Sequence, residues 1–207
     1  MSINEPGAIE KRSMEIIESE LDIVIPDDRK DIVKRVIHCT ADFDYAKNLA
    51  FSEKAVENAL EALSQGCDIV TDTQMAKAGI NKAAAEKLGC KIHCFMSDAD
   101  VAALAKERNC TRAMVSVEKA MSLKKPLIFV IGNAPTALLT LSEFIEAGKI
   151  LPKLVIGVPV GFVNVLESKE AAMRCGAEYI VSQGRKGGSN VAAAIINALM
   201  YRITRNG

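Results

Sequence analysis

Tryptophan is absent from the 207-residue chain, and three tyrosines and six phenylalanines are its large aromatics. A surface of stacked rings for single-stranded nucleic acid is therefore not expected. An excess of one charge is also missing, with 26 Lys plus Arg against 26 Asp plus Glu. That argues against a nucleic-acid or anionic-membrane binder driven by bulk charge. No uncharged apolar run reaches the roughly 18 residues of a membrane span. The first 25 residues carry charges throughout, which predicts no secretory signal. The six cysteines, at 39, 67, 90, 94, 110 and 175, are too scattered for a secreted disulfide framework. They read as reduced thiols of a cytoplasmic protein. Histidine is scarce, with two residues, so the choice of general acid is narrow.

What is present is apolar: 49% of the residues, enough for a real core. The first part reads as helical. Ile9, Ile16, Ile17 and Leu21 recur at helical spacing after Pro6-Gly7. Pro26-Asp27-Asp28 separates that helix from a second, whose stripe is Ile32, Val33, Val36 and Ile37. A third is expected to open at Ser52 and close at Gly66. Strand and helix then alternate. Five short apolar runs, Asp68–Thr71, Lys91–Phe95, Leu127–Ile131, Leu154–Val158 and Glu178–Val181, are each followed by a helical pattern. This order predicts an α/β fold, a parallel sheet between helices, with right-handed crossovers. No linker or repeat interrupts it, so residues 1–207 read as a single domain.

In an open parallel sheet the ligand lies at the carboxyl ends of the strands. The turn GRKGGS, Gly184 to Ser189, follows the last run and opens a helix. Its glycines bare N–H groups, the helix terminus adds partial positive charge, and Arg185 and Lys186 add full charges. That composition suits a phosphate or a carboxylate. It matches neither nucleotide fingerprint, and the same residues also describe a turn with Ser189 as cap and solvated basic side chains. GNAPTAL, Gly132 to Leu138, reads as a helix start with Pro135 in the first turn and Asn133 as cap. Phe162 is expected in the core.

His93 lies within an apolar run and reads as an interior imidazole with a partner. Cys90, His93 and Cys94 do not have the spacing of a recognised zinc finger. His38 falls nearly opposite the apolar stripe of its helix, and Arg35 shares its face at i, i+3. It is either a solvated surface histidine or an imidazole offered to an anionic ligand.

Several motifs together resemble the precorrin-8X methylmutase family: KRSMEII (Lys11–Ile17), RVIHCTADFDYA (Arg35–Ala46), DTQMAKAGI (Asp72–Ile80), NCTRAM (Asn109–Met114), IGNAPTAL (Ile131–Leu138), VPVGFVNVLESKE (Val158–Glu170) and GRKGGSNVAAAIINAL (Gly184–Leu199). The resemblance runs from about residue 6 to residue 203. It implies a cytoplasmic homodimer with a flavodoxin-like three-layer sandwich built on a five-stranded parallel sheet. It implies an isomerase that moves a methyl group from ring carbon 11 to ring carbon 12 of precorrin-8 or its cobalt counterpart. No cofactor and no metal ligand of the protein are implied. The family's catalytic histidine matches His38. Ser13, Arg35 and Arg112 match substrate-binding positions, and Thr111 stands beside Arg112 in the Thr-Arg pair. Gly184, Arg185, Lys186, Gly187, Gly188 and Ser189 are added as carboxylate-binding candidates for a tetrapyrrole substrate. The competing expectations are a non-catalytic corrinoid carrier, a phosphate-binding module using the glycine-rich turn, and a zinc protein.

Overall fold

The computed structural model describes residues 6–205. The five apolar runs become parallel strands: β2 (Asp68–Thr71), β3 (Lys91–His93), β4 (Leu127–Ile131), β5 (Leu154–Gly157) and β6 (Tyr179–Ser182). A sixth strand, β1 (Leu49–Phe51), pairs antiparallel with β6, giving the order β1-β6-β5-β4-β2-β3. The expected five-stranded sheet is thus corrected to six strands, mixed rather than wholly parallel. Three residues are too few to register as an apolar run, and β1 leads directly out of the helical section.

The other elements are helices: α1 (Pro6–Glu20), α2 (Asp27–Thr40), α3 (Tyr45–Asn48), α4 (Ala55–Ser64), α5 (Gln74–Gly79), α6 (Lys82–Lys87), α7 (Ala99–Glu107), α8 (Arg112–Ala120), α9 (Pro135–Glu146), α10 (Val165–Arg174) and α11 (Ser189–Thr204). α4 begins at Ala55, not at the expected Ser52. The Ser52 hydroxyl instead accepts the Tyr179 N–H at 2.7 Å and donates to Glu178, whose carboxylate also takes the Lys54 N–H.

β2, β4 and β5 are buried along their whole length because helices cover both faces. Alternation along each strand divides the core. Ile69, Ile128, Val130, Leu154, Ile156 and Ile180 face α2, α4, α6 and α11. Val70, Phe129, Ile131, Val155 and Val181 face α8, α9 and α10. The register Val70–Phe129–Val155–Tyr179 runs across the second face as one row. α2 and α11 are antiparallel: Cys39 meets Asn190 at one end, and Asp31 pairs with Arg202 at the other. The carboxyl end of α2 therefore lies beside the start of α11. No helix among the described residues is long and apolar enough to cross a membrane.

Candidate active site

The carboxyl ends of β2, β4, β5 and β6 form one edge, and Asp72 ties two of its turns together. Its buried carboxylate accepts N–H groups from Gly132, Asn133 and Ala134 at 3.0, 2.7 and 2.6 Å. These amides precede α9, whose N-cap position is Ala134 without a side-chain cap, so Asn133 is not the expected cap; Pro135 stands in the first turn as expected. Burial pushes the Asp72 carboxyl up, against the pull of the three N–H bonds. Gly132 lies so close to α11 that a Cβ there would stand 2.8 Å from Ser189 Cα. The Ser189 hydroxyl is buried against Thr73, 2.8 Å away, and does not cap α11. It belongs to the floor of the edge, a use its sequence position did not suggest.

Above this floor runs the glycine-rich turn. Gly184 has φ +77°, which favours glycine. Gly187 passes so close to β5 that an added Cβ would meet the Val158 carbonyl oxygen at 2.1 Å. Gly188 donates its N–H to that same oxygen at 2.9 Å. Beneath the turn sits Lys169 of α10, 2% exposed. Its Nζ donates to the carbonyls of Gly184 (2.7 Å) and Lys186 (2.8 Å). Burial pushes its ammonium down to about 8. The Ser182 hydroxyl donates to the Lys186 carbonyl as well, at 2.8 Å.

The two cations of the turn differ. Arg185 is exposed and lies 5.5 Å over the ring of Phe162. Phe162 itself is 82% exposed, which corrects its expected place in the core. The backbone turns it out, with Gly161 at φ +146° and Asn164 at φ +57°. Lys186 is not the free cation that its position suggested: Nζ pairs with Asp42 and Asp44, both at 2.6 Å. That double pair raises the Lys186 pKa and lowers that of Asp42. It also ties the turn to the segment leaving α2.

That segment follows directly on the turn of α2 that holds His38. The last turn of α2 presents the imidazole, exposed as expected, and Ala41 closes the helix at φ +53° with its N–H on Ile37 O. His38 makes no hydrogen bond among the described residues. His93, by contrast, is engaged: Nε2 lies 3.0 Å from Asp68 of β2. Arg35 pairs with Glu10 at 2.7 Å and stacks over Tyr201, so its guanidinium is held against α1 and α11. Ser13 lies on α1, its hydroxyl donating to Ile9 O. At the far end of the edge Thr111 caps α8 and reaches Thr136 at 3.5 Å; Arg112, next to it, is exposed. The structure thus aligns Thr111–Arg112, the α9 turn, the glycine-rich turn and His38 along one edge. It leaves Ser13 and Arg35 on the adjoining α1–α2 hairpin.

Sequence reasoning did not find Lys169 or Ser182. A lysine in an amphipathic helix signals solvent, and its partners lie 15 and 17 residues away. All six cysteines are free, with Cys67 and Cys90 sulfurs 3.7 Å apart. No group of three His, Cys, Asp or Glu among the described residues is placed to hold a metal. Two open grooves border candidate residues: one of about 680 Å³ between α7 and α8, beside Arg112, and one of about 380 Å³ between α1 and α2, beside Arg35.

A family model described as precorrin-8X methylmutase matches residues 8–202, a span that contains every side chain named above as a site candidate. The chain belongs to the precorrin-8X methylmutase family. It is 44% identical to the cobalt-precorrin-8 methylmutase of Salmonella typhimurium, the match covering 97% of each chain. It is 42% identical to the cobalt-precorrin-8 methylmutase of Leptospira interrogans, over 96% of this chain and 94% of that one. The crystal structure of precorrin-8x methyl mutase from Thermus thermophilus superposes with a TM-score of 0.88 at 38% identity, covering 97% of this chain and 99% of that chain. Methylmutases transfer a methyl group within one molecule, and this methylmutase is accordingly an isomerase of corrin biosynthesis.

Proposed function

We propose that the chain moves a methyl group from ring carbon 11 to ring carbon 12 of cobalt-precorrin-8, with His38 as the acid. One observation carries the assignment of the acid. Of the two histidines, His93 is engaged with Asp68, whereas His38 stands exposed where α2 ends beside the glycine-rich turn. In this proposal the protonated imidazole donates to a pyrrolic nitrogen near the migrating group. Charge delocalised over the macrocycle then lowers the barrier to a suprafacial 1,5-shift. The C11–methyl bond breaks as the C12–methyl bond forms, so no external donor or oxidant enters. Ser13, Arg35, Thr111, Arg112, Arg185 and the turn from Gly184 to Ser189 bind the substrate's carboxylates. Lys186 acts there chiefly through its tether to Asp42 and Asp44. The cobalt-loaded substrate is favoured because relatives at 42–44% identity carry that name, against 32–38% for two named precorrin-8X methylmutases.

The test is an anaerobic absorbance time course with cobalt-loaded and metal-free precorrin-8 in parallel. Wild type is expected to convert both, the cobalt form faster. His38→Ala is expected to lose about 10²–10⁴-fold in kcat. Near-full turnover by the variant overturns the acid, and binding without turnover by wild type leaves a corrinoid carrier. The same proposal includes a single cytoplasmic domain of flavodoxin-like type acting as a homodimer. The parallel order β3-β2-β4-β5-β6 supports the fold type. Six scattered cysteines, unlike a secreted disulfide framework, support the compartment. The exposed apolar run Val160, Phe162, Val163 and Leu166 supports a second copy.

A further inference from the structure

Among the described residues Lys169 is the one buried cation, and its only hydrogen-bond partners there are backbone carbonyls, those of Gly184 and Lys186. Burying a lone ammonium is costly unless it is well hydrogen-bonded. A methionine would fill an apolar site of this size without that cost. The carbonyls it holds give it a reason to be charged. In a planar trans peptide the C=O and the N–H point in opposite directions. Drawing the Gly184 and Lys186 carbonyls down toward α10 therefore turns the Arg185 and Gly187 N–H groups away from α10. That is the side of the sheet edge where α2 and α11 meet. Neither N–H has a hydrogen-bond partner among the described residues. Ser182 adds a second grip on the Lys186 carbonyl, from the end of β6.

We propose that Lys169, assisted by Ser182, is a positioning residue: it orients the Arg185 and Gly187 amides as a paired donor for one carboxylate of the substrate. This deepens the proposal above and rests on its claim that the glycine-rich turn binds substrate carboxylate. The ammonium acts through the backbone it holds and does not itself reach the ligand.

The experiment measures kcat and KM of the full chain with cobalt-precorrin-8 for Lys169→Met, Ser182→Ala and Arg185→Ala, each checked by thermal melting. Lys169→Met is expected to raise KM by about 10–100-fold, the scale of hydrogen bonds to a charged group, with kcat within about threefold. Ser182→Ala is expected to move KM the same way by a smaller factor. A general loss of fold would depress active fraction and kcat without this split. If Arg185→Ala raises KM and Lys169→Met does not, the positioning role is overturned and carboxylate binding by the turn stands. If no variant changes KM, both are overturned. Should Lys169→Met fail to fold, Ser182→Ala decides: a well-folded variant with wild-type KM overturns the grip on the turn.

Discussion

Replacing Gly187 by alanine tests whether the close approach of the glycine-rich turn to β5 shapes the site. Gly187 is not at positive φ, so backbone strain is not the issue. The obstacle is space: the new Cβ would lie 2.1 Å from the Val158 oxygen and 2.9 Å from the Pro159 oxygen. Both are backbone atoms and cannot swing aside as a side chain would. Non-bonded heavy atoms settle near about 3.5 Å, so the turn has to lift by more than about 1 Å. The Gly188–Val158 hydrogen bond, 2.9 Å in the native chain, is broken by that movement. Its loss costs about 1 kcal/mol, and residual overpacking adds about 1–3 kcal/mol. A total near 3 kcal/mol corresponds to a fall in melting temperature of about 6–12 °C for a chain of this size. Thermal melting by circular dichroism reads the shift, and KM for cobalt-precorrin-8 reads the displaced turn, with a rise of about tenfold or more expected. Gly7→Ala is the control, since a Cβ there meets nothing within 4 Å. A Gly187→Ala protein that melts within about 2 °C of wild type and keeps its KM would refute the argument.

Three further outcomes are expected. Lys186→Gln and the double variant Asp42→Asn/Asp44→Asn cut the same tether from opposite ends. Their KM values should rise together; a KM effect confined to Lys186→Gln would make Lys186 a direct ligand instead. Asp72→Asn leaves three amides facing a poorer acceptor and should cost about 2–4 kcal/mol in urea unfolding; a loss below about 0.5 kcal/mol would count against the clasp. Lys169 makes stability depend on alkaline pH. Its folded pKa is about 8 against an ordinary 10.5, so between those values the unfolded chain holds a proton that the folded chain has released. Raising pH through that window favours the folded state. The stability of wild type minus that of Lys169→Met should climb by up to about 3 kcal/mol from pH 8 to pH 10.5, and a flat difference would show that the ammonium is not held in its buried place.

The central sheet was legible because β4 and β5 are apolar without interruption and β2 and β6 carry apolar pairs, which is what coverage on both faces requires. β1 was not, because three residues carry no period and their pairing with β6 is decided 130 residues downstream. α3 and α5, of four and six residues, are likewise too short to show a stripe. His38 was legible as a polar-face residue from α2's own stripe, since one helix contains the whole argument. Phe162 was misjudged because an aromatic ring signals burial on average, while its exposure follows from two left-handed backbone positions flanking it. Lys186 and Lys169 look alike in sequence, yet one is paired with carboxylates across 142 to 144 residues and the other is buried under a turn. Charge is visible in a sequence; the partner that gives it meaning is not.

The clasp made by Asp72 has a consequence for how the enzyme comes into being. Its bonds join residues 60 to 62 apart, the Thr73–Ser189 contact spans 116, and the Lys186 tether spans 142 to 144. The contacts that join the turns of the edge to one another are not local. Such contacts are made only after the loops between them have been closed, the slow part of folding for parallel sheets. During synthesis, β2 and β4 emerge and pair while the glycine-rich turn and α11 are still unmade. A nascent chain therefore carries half an edge and no glycine-rich turn. On the proposed assignment of the turn, the newly made protein gains its grip on the tetrapyrrole only when its last strand and last helix have docked, so competence to bind arrives together with the completed fold.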